Sequence, residues 1–130
     1  MSSLNQLAGR VTGSLLSAAV NNKNFFVNDI PADLPVSYNK EWLATVLSGM
    51  LSVVVNHAQN ACIRLSARKY GYIIVLEIQQ VGKIANYTRD QGLQQVEQLA
   101  EKIGGCLHMT FRNAETKVLS FSYPNLPMIA

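Results

Sequence analysis

After Ser3, the apolar residues Leu4, Leu7, Val11, Leu15 and Ala18 recur three or four positions apart, the spacing that gathers side chains on one helical face. Ser3 and Gln6 have the form of a capping box, so the pattern predicts a helix from Leu4 to Asn21. Gly9 and Gly13 inside it each cost about 1 kcal/mol against alanine, which points to close packing against another element. Phe25-Phe26-Val27 is predicted as a short strand, closed by the turn chemistry of Asp29-Ile30-Pro31, and Val36-Ser37-Tyr38 as a second extended segment. Asn39 is then a candidate N-cap for the strongest helix in the chain, carried by Trp42, Leu43, Val46, Leu47, Met50, Leu51 and Val54. Around Val53-Val54-Val55 apolar residues cover most of the circumference, which predicts a C-terminal turn buried on more than one side.

Beyond that helix the period changes from helical to two. Ile63, Leu65 and Ala67 alternate with polar residues, Lys69-Tyr70-Gly71 supplies a turn, and Ile73 to Ile78 continues as the second arm of a hairpin. Periodicity is lost from Gly82 to Arg89. Thr88 and Gln91 form a second candidate capping box ahead of Leu93, Val96, Leu99, Ala100 and Ile103, and Gly104-Gly105 ends that helix. Leu107-Met109-Phe111 and Val118 to Tyr123 then read as a last pair of strands, ended by Pro124. The order is helix, two short strands, long helix, hairpin, helix, hairpin. Tight hairpins alternating with helices that have one apolar face predict an α+β fold: a two-layer α/β sandwich in which all helices lie on one face of a mixed sheet. Its core is expected to hold Leu43, Val46, Leu47, Met50, Ile74, Leu76, Ile78, Val96, Leu99, Leu107, Met109, Leu119 and Phe121. A doubly wound sheet would instead need a helix between most successive strands.

Composition narrows the class. With 130 residues, 48% of them apolar and 15% charged, the chain suits one compact domain (1–130) that folds without a metal or disulfide staple. The net charge of +3 is spread too thinly to make an anion-binding patch, and its nearest approach to a cluster, Arg64, Arg68 and Lys69, reads as a solvated strand end, so no nucleic-acid partner is expected. No stretch approaches the roughly 18 consecutive apolar residues of a membrane span, and no leader pattern precedes the first helix. Cys62 and Cys106 show no metal-ligand spacing and read as free thiols, which fits a cytoplasmic protein with no membrane contact. In that compartment the sequon Asn86-Tyr87-Thr88 has no use.

The residues alone offer little catalytic chemistry. His57 follows the long helix, where its ring can satisfy a last-turn carbonyl, and His108 alternates with Leu107 and Met109 and is expected to point away from the core. No phosphate-binding glycine loop, zinc-protease or nucleophile-elbow motif occurs, and the carboxylates form no evident acid/base pair. On this basis the chain is a binding or scaffold domain.

The run from Leu4 to Pro124 nevertheless resembles the ATP-binding catalytic domain of sensor histidine kinases, in the superfamily that includes DNA gyrase and MutL. Trp42-Leu43 through Leu51 resembles the helix carrying the family's N-box, and Ile63 to Gly82 the hairpin that ends in its D-x-G motif. Gly92-Leu93 through Gly104-Gly105 resembles the helix that starts at G-L-G-L, and Val118 to Pro124 the final strand. The resemblance implies the sandwich fold and a nucleotide site, and it also shows what is missing from that site. Val53 stands where the family's magnesium-holding asparagine is expected, and valine offers none of the oxygen donors that Mg²⁺ demands. A register shift would bring up Asn56 or Asn60 instead. Gln80 falls at the adenine-reading aspartate, and its neutral amide accepts more weakly than a carboxylate. Ile84 replaces the second glycine of D-x-G-x-G, and Asp90 replaces the first glycine of G-L-G-L, where its charge would repel phosphates. The lid is reduced to Lys83 through Arg89. The chain has no room for a phosphoacceptor helical hairpin, and His57 is followed by Ala58 instead of an acid.

These losses point to a nucleotide-silent relative with no catalytic or metal-binding residue and no expected cofactor, acting in bacterial signalling through a protein partner or as a homodimer. The alternative is a divergent Mg-ATP-binding kinase domain that serves a separate phosphoacceptor protein and binds nucleotide through Asn56, Gln80, Gly82 and Gly92. An orphan globular domain with no signalling role is a third reading. The association surface is expected on the first helix, around Gly9 and Gly13, or on the tail with Leu126, Met128 and Ile129.

Overall fold

The computed structural model describes residues 3–36, 40–82 and 91–125. Along the chain these form α1 (Leu4–Ser14), α2 (Leu16–Asn21), β1 (Phe25–Asn28), α3 (Lys40–His57), β2 (Cys62–Tyr70), β3 (Ile73–Val81), α4 (Gln91–Lys102), β4 (Cys106–Asn113) and β5 (Thr116–Pro124). One five-stranded sheet has the order β1-β2-β3-β5-β4, with β1 parallel to β2 and the other pairs antiparallel. The sheet is therefore mixed, as expected.

Strict alternation decides which face the helices cover. Ile63, Leu65 and Ala67 of β2, Ile74, Leu76 and Ile78 of β3, and Leu119, Phe121 and Tyr123 of β5 are all buried. The register lines them up in rungs across the sheet, Leu65 beside Ile78 and Ile78 beside Leu119, then Ala67 beside Leu76 and Leu76 beside Phe121. Residues between them, such as Arg64, Arg68, His108 and Thr110, are exposed on the opposite face. On the helix side, α3 buries Leu43, Val46, Leu47, Met50, Leu51, Val54 and Val55, a stripe two residues wide from Val46 onward; Val53 is only half-buried and Asn56 and His57 are exposed, so the last turn is not covered all round as the valine run predicts. Leu93, Val96 and Ala100 of α4 complete this layer. Each large aliphatic side chain withdrawn from water contributes about 1.5–3 kcal/mol, so these stripes dominate the stability of the sandwich. Of the expected core, Leu99, Leu107 and Met109 are only partly buried, because the last helix and strand lie at the margin of the two layers.

Three local expectations are corrected. The first helix is two helices, broken at Leu15, whose N–H turns back to Thr12 O at 3.1 Å. The hydroxyls of Thr12 and Ser14 donate to Gly9 O (3.0 Å) and Val11 O (2.7 Å), so side chains compete for the carbonyls of the last turn, and Gly13 adds its own helix cost. The close packing expected at the two glycines is absent: both are exposed, a Cβ on Gly13 would meet nothing within 4 Å, and one on Gly9 only Asn28 Nδ2 at 4.0 Å. The hairpin turn between β2 and β3 is Gly71-Tyr72, with Tyr70 still in the strand, because Gly71 takes the positive φ (61°) that a two-residue loop requires. Val36 of the expected second extended segment is in no strand, its neighbour Pro35 making only an isolated bridge with Ser3, while Ser37 and Tyr38, the Asn39 cap and the Thr88 capping box lie outside the described residues. At the start of the chain, the capping box is present as read: Ser3 Oγ accepts from Gln6 N at 3.1 Å and Gln6 Oε1 from Ser3 N at 3.4 Å.

Candidate functional site

The two long helices cross antiparallel. Lys102 Nζ of α4 stands 5.6 Å from the ring centre of Trp42 near the start of α3, and Val96 packs directly on Gly49 midway along. The C-terminal turn of α3 and the first turn of α4 therefore lie toward the same end of the sandwich. β3 leaves the sheet at that end too, since a Cβ built on Gly82 would come within 3.2 Å of Ala61, the residue that leads from α3 into β2.

Buried polar side chains hold this end together. A helix leaves its last carbonyls without partners, and here they are answered from the turn before β1. Asn24, 4% exposed, donates through Nδ2 to Ala58 O at 3.0 Å and Val55 O at 3.4 Å, while its Oδ1 accepts from Ala61 N at 3.0 Å. Asn22 Nδ2 donates to Val55 O at 2.9 Å, and Asn22 O accepts from Asn60 N at 3.1 Å. His57 Nδ1 lies 2.8 Å from Val53 O, and since a carbonyl only accepts, that nitrogen carries the proton. His57 thus serves its own helix end, as the sequence suggested.

The residues singled out for nucleotide chemistry fare differently from one another. Val53 is half-buried on α3 and offers an apolar surface. Asn56 is exposed on the last turn of that helix, and Asn60, with φ at 54°, has left it, so a register shift along the helix does not reach Asn60. Gly92 is the second residue of α4. Asp90, Ile84 and the shortened lid lie outside the described residues. Among the described residues no group of three His, Cys, Asp or Glu side chains can hold a metal ion.

Gln80 is the exception. It continues the inward row of Ile74, Leu76 and Ile78, is 2% exposed, and its Oε1 has no hydrogen-bond partner among the described residues. Leaving such an acceptor dry costs about 1–3 kcal/mol, which an apolar residue of the same shape would avoid. Gln80→Met is therefore expected to stabilise the fold by about 1 kcal/mol, seen as a higher urea midpoint at unchanged slope; a lower midpoint would mean that the amide is satisfied as it stands. One other side-chain polar atom is orphaned in this way among the described residues, the Tyr123 hydroxyl, whose burial pushes its pKa above the ordinary tyrosine value. Tyr123 stacks on Phe121 with ring centres 5.0 Å apart and belongs to the packing of β5.

Sequence reasoning missed Asn22 and Asn24 altogether. The available signal was weak: two asparagines beside Lys23, which takes a positive φ (58°), between a helix and a strand.

No protein-family model matches the chain, and no curated protein matches it. Solved structures do. The nucleotide-free catalytic domain of the histidine kinase ThkA superposes with a TM-score of 0.81 at 17% identity, covering 98% of this chain and 97% of that one. The Acinetobacter baumannii histidine kinase AdeS gives 0.81 at 13% identity over 95% of this chain, which spans 65% of the AdeS chain. A mycobacterial sensor kinase, MprB, gives 0.74 at 14% identity, covering 98% of this chain and 99% of that one. At these identities the likeness concerns the fold.

Proposed function

We propose that this chain, which has the fold of histidine-kinase catalytic domains, is a degenerate form of that domain, acting as a protein-interaction module in bacterial signal transduction without binding ATP. The observation that carries this reading is the chemistry at the joined ends of α3 and β3. Where the family resemblance expects an oxygen ligand for magnesium there is the half-buried Val53, and where it expects a carboxylate there is the neutral Gln80. These residues do not fit a magnesium nucleotide, and the resemblance puts an acid, Asp90, in place of a glycine of the phosphate-binding motif. A protein partner is the function left to such a fold. One structural neighbour, ThkA, has been solved in complex with a response regulator, TrrA, which supports a regulator-type protein as the class of partner.

One observation favours the second reading, a divergent nucleotide-binding domain: the buried Oε1 of Gln80 accepts no hydrogen bond from the described residues, and an exocyclic amino group would supply one. The structural neighbour ShkA was solved with AMPPNP. Titration calorimetry of this chain with AMPPNP and Mg²⁺ separates the two. No heat of binding is expected up to millimolar nucleotide, whereas affinity near 1 µM, about −8 kcal/mol, would overturn the interaction-module reading.

A further inference from the structure

The sheet ends differently on its two sides. On one side β1 is only four residues long, and its Asn28 side chain is tied to α1 through Asn5 O at 3.1 Å. On the other, β4 runs for eight residues and among the described residues pairs only with β5, regularly from Cys106 to Phe111, before a bulge at Phe111/Asn113 shifts the register. A strand so placed presents a row of backbone N–H and C=O groups to solvent, and proteins usually blunt such an edge with proline, lysine or a covering segment. None of these residue types occurs within Cys106–Asn113, whose one charged residue, Arg112, sits at the bulge.

The side chains decide what fits there. On the helix-facing side β4 carries Leu107 and Met109, both half-buried, and Phe111, which is 45% exposed; Leu99 of α4 and Ile103 just after that helix are only partly buried. On the other side are the exposed His108 and Thr110. Antiparallel pairing of β4 with itself about a two-fold axis normal to the sheet keeps the two faces matched. Among the registers that do so, one gives all three inward residues apolar partners: Met109 opposite its own copy and Leu107 opposite Phe111 of the second molecule. In that register His108 stands opposite Thr110, and no charged residue meets its like. The bulge stops the pairing after Phe111, and a two-fold contact closes on itself, so it produces pairs instead of fibres.

We propose that β4 is a homodimerisation edge, joining two copies of this chain into one ten-stranded sheet through Leu107, Met109 and Phe111. This surface differs from the first helix and the tail on which the sequence placed association. Because a single strand pair buries less than a standard interface, the dimer forms at high protein concentration and dissociates on dilution.

Sedimentation equilibrium of the full chain over a wide concentration range tests the proposal, together with two surface variants. His108→Glu/Thr110→Glu sets like charges opposite each other twice across the axis and is expected to weaken dimerisation roughly tenfold or more, while His108→Lys/Thr110→Glu restores it by pairing opposite charges. In a Cys62→Ser/Cys106→Ser background, Met109→Cys is expected to form an intermolecular disulfide, and Leu107→Cys, whose partner is Phe111, is not. The cross-linking comparison reads the register even if a charge variant fails to fold. A chain that stays monomeric throughout, a dimer indifferent to the double glutamate, or cross-linking through Leu107→Cys in place of Met109→Cys would each overturn it.

Discussion

Asn24→Leu is expected to lower the stability of the domain by about 3–4 kcal/mol, the largest loss from any single polar side chain described above. Leucine fills nearly the same space, so the cost is electrostatic. Ala58 O and Ala61 N, both in fully buried residues, lose their partners, and Val55 O keeps only the Asn22 amide. Each stranded group costs about 1–3 kcal/mol, against a total stability of 5–15 kcal/mol for a domain of this kind. In thermal unfolding this corresponds to a fall of about 10–15 °C in Tm. Asn24→Asp is expected to be worse at neutral pH, and pH-dependent. The carboxylate can still accept from Ala61 N, but its second oxygen faces the carbonyls of Val55 and Ala58, so the folded state raises its pKa above the unfolded value of about 3.9. A group whose folded pKa is raised binds its proton more tightly in the folded state, and stability falls as pH rises through that pKa. The aspartate variant should therefore recover part of its loss near pH 4. Asn22→Ala, which removes one bond at a half-exposed residue, should cost only about 1 kcal/mol.

Gly105→Ala is expected to cost about 3 kcal/mol, more than the same change at Gly104. A methyl group on Gly105 would collide with the ring edge of Phe121, with Cζ at 2.8 Å, and with the backbone oxygen of Ser122 at 2.9 Å. Neither neighbour can retreat, since Phe121 is fully buried and stacked on Tyr123, and Ser122 O belongs to the ladder of β5. At Gly104 the same methyl would meet only the ring of Pro124, at ordinary contact distances of 3.6 and 3.8 Å, and the cost is that of a positive φ (76°), about 1 kcal/mol. Urea unfolding of the two alanine variants under one set of conditions checks both values. Equal losses would show that Gly105 serves only to end the helix.

The glycine pair also shows how far the sequence could be read. Gly104-Gly105 after an apolar periodic run announces a helix end, and the helix ends there. Nothing local, however, distinguishes the glycine needed for its backbone angle from the glycine needed because Phe121, sixteen positions later in the chain, occupies the space above it. The break at Leu15 is a similar case, because the hydroxyls of Thr12 and Ser14 compete with a continuous pattern of apolar residues that by itself supports one helix.

What the sequence determined by itself is the order of the main elements, without the break at Leu15, together with the buried face of each and the mixed two-layer class, because burial within a helix or strand imposes a period of 3.6 or 2 that the residues must follow. It also determined the side-chain types at the positions the family resemblance marks out: valine at 53 and glutamine at 80 are fixed by composition whatever the fold. What only the tertiary structure decided are the pairings between residues distant in the chain. Asn24 meets Ala58 and Ala61 across more than thirty residues, Gly82 rests on Ala61, and β5 is inserted between β3 and β4 so that β4 is left at the edge. Gln80 lies inward with an oxygen that no described residue answers, for the same reason. Periodicity records whether a position is buried, not which group answers it, and hydrogen bonding and strand order depend on that second fact.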